Sequence, residues 1–238
     1  MIRHFNGMRS PAALYACGTA LVCLAAAAAA RYRRCAVALS VVWIAAVVMP
    51  AATVCAQSGA PDPAVTKLQD FYAVLLHTMK QADQLKLKGR YEKLSPAVEA
   101  TFDLPAMTRI AVGPSWSSIP AGERDQLVTQ FSRMTIANYA KRFDGYNGER
   151  FEVDPETVEK NGNRIVRSRL ILPQRDPVPL NYLFHQTGAA WKAIDVYLNG
   201  TISELATRRS EFGALLKTQG AAALAQNLKQ RTDALMNE

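Results

Sequence analysis

Few residues in this chain of 238 have the types and spacing that catalysis requires. The segment GPSWS, residues 113–117, resembles a nucleophile elbow, but it ends in Ser instead of Gly and follows no predicted strand. His77 has no second histidine at i+4 on its predicted helix, and His185 stands alone in a predicted strand, so the zinc-protease pattern is absent from the sequence. We therefore expect no catalytic residues, no metal site and no cofactor.

Asp195 is a carboxylate in an unusual setting, because Ile194 and Val196 flank it on a predicted central strand. A carboxylate among apolar neighbours can be a catalytic group. The favoured interpretation is a structural ion pair with Arg167 or Arg169 on another strand. The alternative, an exported hydrolase or isomerase that uses Asp195 or a histidine, stays open at this point.

The first 56 residues contain no Asp or Glu and differ in composition from the rest of the chain. RYRR at residues 31–34 precedes an apolar run, and Val54 and Ala56 fit the −3 and −1 positions of a signal cleavage site. This order is typical of a secretory signal, so residues 1–56 are predicted to be a leader and residues 57–238 the exported domain. A second apolar segment, residues 11–30, has about the roughly 20 residues that span a bilayer. A longer leader, a later true start and an uncleaved membrane hairpin are the alternatives.

Removal of the leader would change the chemistry available to the chain. All four cysteines lie within residues 1–56, so the exported domain would have no thiol for a disulfide, a nucleophile or a metal. Five of the 28 basic residues would also be lost, which leaves 23 basic against 20 acidic residues and a net charge of +3. This balance is ordinary and predicts no nucleic-acid partner.

The hydrophobic pattern of the exported part predicts helices followed by strands. Apolar residues recur at helical spacing over residues 62–82, 89–102, 103–113 and 120–142. From Phe151 the period changes to two, and Asn161-Gly162 is a strong hairpin signal within a meander of four strands.

Two further helices follow the strands. The segment TISE, residues 201–204, predicts a capping box in which the Thr201 hydroxyl bonds the Glu204 amide, and Gly220 separates this helix from the last one. The order predicts the α+β class, with an antiparallel, four- to five-stranded curved sheet packed against a helical layer. The many large apolar side chains either fill a thick core or line a pocket between the layers, and the patterning leaves both possibilities open.

Several segments are similar to a known family. FYAVLLHTMK, FDLPAMTRIAVGPSW, FSRMTIANYAKRFDGY and WKAIDVYLNGTISELATRRSEF resemble the MlaC/toluene-tolerance family of periplasmic lipid carriers over residues 65–228. The last of these segments looks more like the hopanoid-associated (HpnM-like) branch, because residues 200–203 (GTIS) are one residue longer than the Gly-Val-Ser of the phospholipid-carrier branch.

The resemblance implies a non-enzymatic, monomeric carrier in the periplasm. A hydrophobic pocket between sheet and helices would hold a phospholipid or a hopanoid, and the partners would be an inner-membrane lipid transporter and an outer-membrane donor or acceptor. A pure interaction module with a filled core is the third alternative. The lipid-binding residues implied by the resemblance are Val112, Trp116, Phe131, Met134, Phe184, Val196, Leu198 and Ile202.

Overall fold

The computed structural model describes residues 60–237, and the expected leader of residues 1–56 lies outside the described residues. Within this range the chain forms five helices and five strands, as the sequence predicts for the α+β class. The helices are α1 (Pro63–Lys80), α2 (Ala82–Thr101), α3 (Leu104–Val112), α4 (Ala121–Arg142) and α5 (Glu204–Met236), with a 3₁₀ helix at Gly113–Ser118. The strands are β1 (Arg150–Lys160), β2 (Asn163–Ile171), β3 (Val178–Thr187), β4 (Ala190–Leu198) and β5 (Ile202–Ser203).

The five strands form one open sheet in the order β1-β2-β3-β4-β5, and each neighbouring pair is antiparallel. The predicted meander is confirmed, with the two-residue β5 as its fifth strand. In β2, Val166, Ser168 and Leu170 are buried, whereas Arg167 and Arg169 are exposed. This alternation shows that one face of the sheet is covered by the helical layer and the other faces solvent.

The β1–β2 hairpin closes at the Asn161-Gly162 turn that the sequence predicts. Both residues have positive φ, 53° and 76°, and the flanking Lys160 and Asn163 are paired. A two-residue turn with two positive φ angles matches the twist of the strands it joins and favours Asn-Gly. The turn therefore fixes the register of the hairpin.

A β-bulge changes the direction of the side chains in β4. Leu183 pairs with Asp195 and Phe184 pairs with Ala193, so Ile194 is an extra residue in β4. Beyond the bulge, Val196 lies opposite Tyr182. Because a bulge shifts the alternation of the strand that contains it, Ala193 and Val196 lie on the same face of the sheet, paired with Phe184 and Tyr182.

The start of α1 is fastened to the β1–β2 hairpin by Asp62. Its Oδ1 accepts hydrogen bonds from the Ala64 amide and from Nη1 of Arg164, both at 2.8 Å, and its Oδ2 accepts one from Thr157 Oγ1 at 3.0 Å. Burial opposes ionisation of this carboxyl, but these hydrogen bonds and the Arg164 charge lower the pKa of Asp62 below its ordinary value. The ionised carboxylate thus caps the helix and docks it on the sheet.

Aromatic side chains fill the core between α1 and the sheet. Phe71 meets Phe102 and Tyr139 edge-on, with ring centroids 5.4 and 5.3 Å apart. Tyr72 stacks on Phe151 with a centroid distance of 4.1 Å. Such contacts favour a fixed geometry, so this part of the interior is closely packed.

The predicted capping box at Thr201 is wrong. The N-cap of α5 is Ser203, whose Oγ accepts a hydrogen bond from the Ala206 amide at 2.9 Å. Ile202 and Ser203 pair with β4 as strand β5, so the helix begins two residues later than the capping box implies. The predicted interruption at Gly220 is confirmed, because its φ of 81° and ψ of −179° break α5 into two helical parts.

The predicted ion pair of Asp195 with Arg167 or Arg169 is also wrong. The buried Asp195 carboxylate accepts hydrogen bonds from the Ser203 hydroxyl at 2.6 Å and from the amides of Val196 and Leu205 at 2.8 and 3.2 Å. Arg169 instead approaches Glu152, with its Nη2 3.3 Å from the carboxylate Oε2. Because the N-terminal amides of a helix attract negative charge, Asp195 acts as a second cap that anchors α5 to β4.

Asp195→Ala is expected to lower the free energy of unfolding by about 3 kcal/mol, because it leaves buried amides without an acceptor. Asp176→Ala, at an exposed loop position, serves as the control and is expected to change it by less than about 0.5 kcal/mol. Urea unfolding followed by circular dichroism measures both. Equal stability of the two variants would show that the Asp195 cluster does not anchor α5.

Candidate functional site

A cavity of about 470 Å³ lies between the sheet and the helices. Its volume falls within the range of roughly 300–1,000 Å³ that is typical of small-molecule pockets. The residues that line it are Phe102, Met107, Phe131, Thr135, Asn138, Tyr139, Lys141, Arg142, Phe143, Asp144, Leu170, Leu180, Tyr182, Val196, Leu198, Glu204, Leu205 and Arg208. Apolar and aromatic side chains form the majority of this lining.

The sheet wall of the cavity follows from strand register. Leu180 and Tyr182 of β3 pair with Leu198 and Val196 of β4, so the four side chains share one face. Leu170 of β2 continues this wall. The result is an apolar surface that spans three strands.

Tyrosine hydroxyls are among the polar groups within this apolar region. Burial is the main cause that raises the pKa of both Tyr139 and Tyr182 well above the ordinary value, and a neighbouring phenol adds to it in each case. Both side chains therefore stay neutral at physiological pH. Behind them, Tyr72 donates to Ser168 Oγ at 2.7 Å, because the Ser168 proton is donated to the Leu180 carbonyl. These hydroxyls are held by the protein and place hydrogen-bonding groups deep in the interior.

Charged side chains belong to the part of the lining contributed by the C-terminal end of α4 and the start of α5. They are Lys141, Arg142, Asp144, Glu204 and Arg208. Arg142 is exposed, whereas the Arg208 side chain retains only 19% of its exposure. The cavity therefore combines apolar walls with a charged rim, an amphipathic arrangement.

The junction between α2 and α3 contributes another part of the cavity lining and is attached to the sheet. Phe102 lines the cavity, and the next residue, Asp103, donates its amide to the Ala193 carbonyl of β4 at 2.9 Å. The Asp103 carboxylate accepts hydrogen bonds from the Ala106 amide at 3.0 Å and Thr187 Oγ1 at 3.2 Å, and it lies 2.8 Å from His185 Nε2. This one residue caps α3 and attaches it to the sheet.

Protonation of Asp103 is opposed by these partners. Burial favours the neutral acid, but the hydrogen bonds from Ala106, His185 and Thr187 together lower the pKa of the carboxyl below its ordinary value. His185, one of the histidines considered for catalysis, thus has a structural partner.

The structure separates the residues implied by the family resemblance into three groups. Phe131, Val196 and Leu198 line the cavity. Buried outside this lining are Met134 on α4, Phe184 on β3, and Val112 at the end of α3. Trp116 is half-buried in the 3₁₀ helix, and Ile202 on β5 is 45% exposed beside its pairing partner Leu198. Their roles in ligand binding remain predictions.

Several lining residues were not singled out from the sequence as site residues. Leu180 and Tyr182 share one face of β3 with Phe184, and the sequence contains that signal, but the strand pattern does not show which of the three meets the cavity. Glu204 and Arg208 are spaced i, i+4 on α5, which resembles an ordinary surface pair in the sequence. Only the docking of α5 by Asp195 brings this pair to the cavity.

Within residues 60–237, no group of three or more His, Cys, Asp or Glu side chains could hold a metal ion. In the same range, none of the helices has both the length and the apolar character to cross a membrane.

The fold and the cavity define an α+β domain with a preformed apolar pocket. The family model described as MlaC protein matches residues 69–230, and the chain belongs to this family. The match confirms the resemblance at the level of the family.

A solved structure has a similar fold. It is the phospholipid-binding protein from Ralstonia solanacearum, in complex with a phospholipid, with a TM-score of 0.65 and 21% sequence identity. The alignment covers 73% of this chain and 99% of that chain. The likeness confirms the α+β architecture.

Asp103→Asn is expected to lower the free energy of unfolding at neutral pH by about 1 kcal/mol, after solvent screening is allowed for. A carboxyl whose folded pKa is depressed stabilises the fold above its unfolded pKa, and this contribution is lost as the pH falls through the folded value. The difference from the wild type should therefore shrink below about pH 4. Urea unfolding between pH 7 and pH 3 measures it, with the exposed Asp176→Asn as control. A difference that does not change with pH would contradict the assignment.

Proposed function

We propose that this protein is a non-enzymatic lipid carrier of the periplasm, which encloses the apolar part of a lipid in the cavity between sheet and helices. The observation that carries the proposal is the cavity itself, with apolar walls and charged residues on one side. This distribution matches a molecule with an apolar body and a polar head. The phospholipid complex of the R. solanacearum protein with the same fold supports the same ligand class.

The energetics of lipid transfer explain why such a carrier needs a cavity. Exposing methylenes to water costs about 0.8 kcal/mol each, so a lipid with about 30 of them would lose on the order of 24 kcal/mol. A carrier lowers this barrier by replacing water with apolar side chains. Such a carrier needs no catalytic group.

The cavity also argues against the alternative of an interaction module with a filled core. The side chains of the domain leave a space of about 470 Å³ between the sheet and the helices, and most of the residues that line it are apolar. An apolar ligand is therefore the favoured content.

The ligand that we propose is a phospholipid or a hopanoid, with the hopanoid-associated branch favoured by residues 200–203. The protein would act as a monomer between an inner-membrane lipid transporter and an outer-membrane donor or acceptor. Its route to the periplasm would be the leader of residues 1–56, cleaved after Ala56, with residues 57–238 as the lipid-binding domain.

Among the implied contacts, Phe131, Val196 and Leu198 are supported by their position in the cavity lining. Ile202 is proposed as a contact beyond that lining, because it is exposed next to Leu198. Ile202→Glu tests it: loss of lipid from a folded variant supports the contact, whereas unchanged lipid content removes it.

Val196→Glu is expected to reduce co-purifying lipid at least about tenfold, because a carboxylate in the apolar wall is costly to bury. Val158→Glu is the matched control, since Val158 is a strand valine with 38% exposure, and it should retain the wild-type lipid content. Organic extraction followed by mass spectrometry measures the lipid, and circular dichroism verifies folding.

If Val196→Glu does not fold, Leu198→Trp provides the second variant, because it fills the same cavity without adding charge. Full lipid content in a folded variant at either position would overturn the assignment of the cavity.

A further inference from the structure

Arg208 is held beside the cavity by weak acceptors. Its Nη1 donates to the Met134 sulfur at 3.7 Å, and a thioether is a weak acceptor. Its Nη2 lies 3.8 Å from Glu204 Oε2, which is beyond hydrogen-bond distance. Since a guanidinium carries five N–H donors, this largely buried side chain retains the capacity to bind a stronger acceptor.

Two acidic and two basic side chains act on Arg208, so this group, including Arg208 itself, has one net positive charge. Burial lowers the pKa of this guanidinium, Glu204 and Glu211 oppose that effect, and the positive charges of Arg142 and Arg231 reinforce it. The Glu211 carboxylate also pairs with Arg231, whose Nη1 lies 3.2 Å from Oε2. Its charge is therefore shared between two cations.

The other charges on the cavity rim do not cancel this excess. Lys141 and Arg142 contribute two positive charges, and Asp144 contributes one negative charge. Asp144 also acts on the buried Arg90, whose charged form it favours. Together with Arg208 and Glu204, the rim carries three positive and two negative side chains.

We infer that Arg208, assisted by Arg142, binds the phosphate group of a lipid whose apolar tails occupy the cavity. This inference rests on the proposed function and adds to it the residue that recognises the headgroup when the ligand is a phospholipid. A guanidinium recognises phosphate by parallel, charge-assisted hydrogen bonds. A phosphate near both arginines also relieves the repulsion between them. Arg208 is thus a specificity-determining residue.

The test compares two lipids with identical acyl chains, dioleoylphosphatidylglycerol and dioleoylglycerol, each offered to delipidated protein in micelles of dodecyl maltoside, a detergent without phosphate. The protein is prepared from cells that express the full chain. Arg208→Met should weaken uptake of phosphatidylglycerol about tenfold and leave uptake of dioleoylglycerol unchanged. Arg167→Met is the matched control, because Arg167 is exposed on the other face of the sheet, and it should change neither. Bound lipid per protein is counted by native mass spectrometry.

Salt provides a measurement that does not depend on the folding of a variant. Raising the NaCl concentration should weaken uptake of phosphatidylglycerol by the wild type and leave dioleoylglycerol unaffected, since screening acts only on the charged lipid. Arg142→Met, at an exposed position, should weaken phosphatidylglycerol uptake by a smaller factor of about three.

Three results would overturn the inference. The first is equal loss of both lipids in Arg208→Met, and the second is wild-type uptake of phosphatidylglycerol by that variant. The third is thermal stabilisation of lipid-free wild type, but not of Arg208→Met, by inorganic phosphate alone, which would indicate a free-anion site. Failure of the wild type to take up either lipid would instead contradict the proposed function.

Discussion

The carboxylate of Asp195 is the interaction on which the arrangement of the cavity depends. It lies buried on β4 and accepts hydrogen bonds from Ser203 and from the Leu205 amide at the start of α5. Leu205, Glu204 and Arg208 reach the cavity only because this end of α5 is fixed on the sheet. The N-terminal amides of the helix, which have no acceptor within the helix, thus hydrogen-bond to the buried carboxylate. This contact positions the wall of the cavity.

The rest of the interior is packed in a way that keeps the cavity open. Phe71 and its aromatic neighbours fill the space under α1, and Asp62 and Asp103 attach the N-termini of α1 and α3 to strands of the sheet. Side-chain caps that bond to the sheet leave each helix little freedom to move inward. Collapse of the cavity would break several of these part-buried polar contacts, each worth about 0.5–1.5 kcal/mol. A preformed pocket is the consequence.

The class of the fold and most of its elements followed from the sequence because they depend on local patterns. Helical spacing located α1 and α4, and Asn161-Gly162 located the first hairpin, since both signals act over a few residues. The family resemblance also brought Phe131, Val196 and Leu198 to attention. What could not be predicted depends on contacts between distant segments.

Three features illustrate this dependence on distant contacts. The bulge at Ile194 is visible only once β3 and β4 are paired, and it brings Ala193 and Val196 to one face of the sheet. The sequence predicts an arginine partner for Asp195, because a single sequence cannot show that a helix N-terminus ends against a strand. For the same reason it predicts Thr201 as the cap in place of Ser203, since β5 forms only by pairing with β4.

The central claim is that the cavity is occupied by a lipid. Native mass spectrometry of the protein as purified from a hopanoid-producing host, followed by organic extraction, tests it most directly. We expect a stoichiometric adduct whose mass identifies a lipid, and the extract distinguishes a diacyl phospholipid from a polycyclic triterpenoid. A protein that retains a clean unliganded mass after gentle handling, and takes up nothing from added vesicles, would contradict the account.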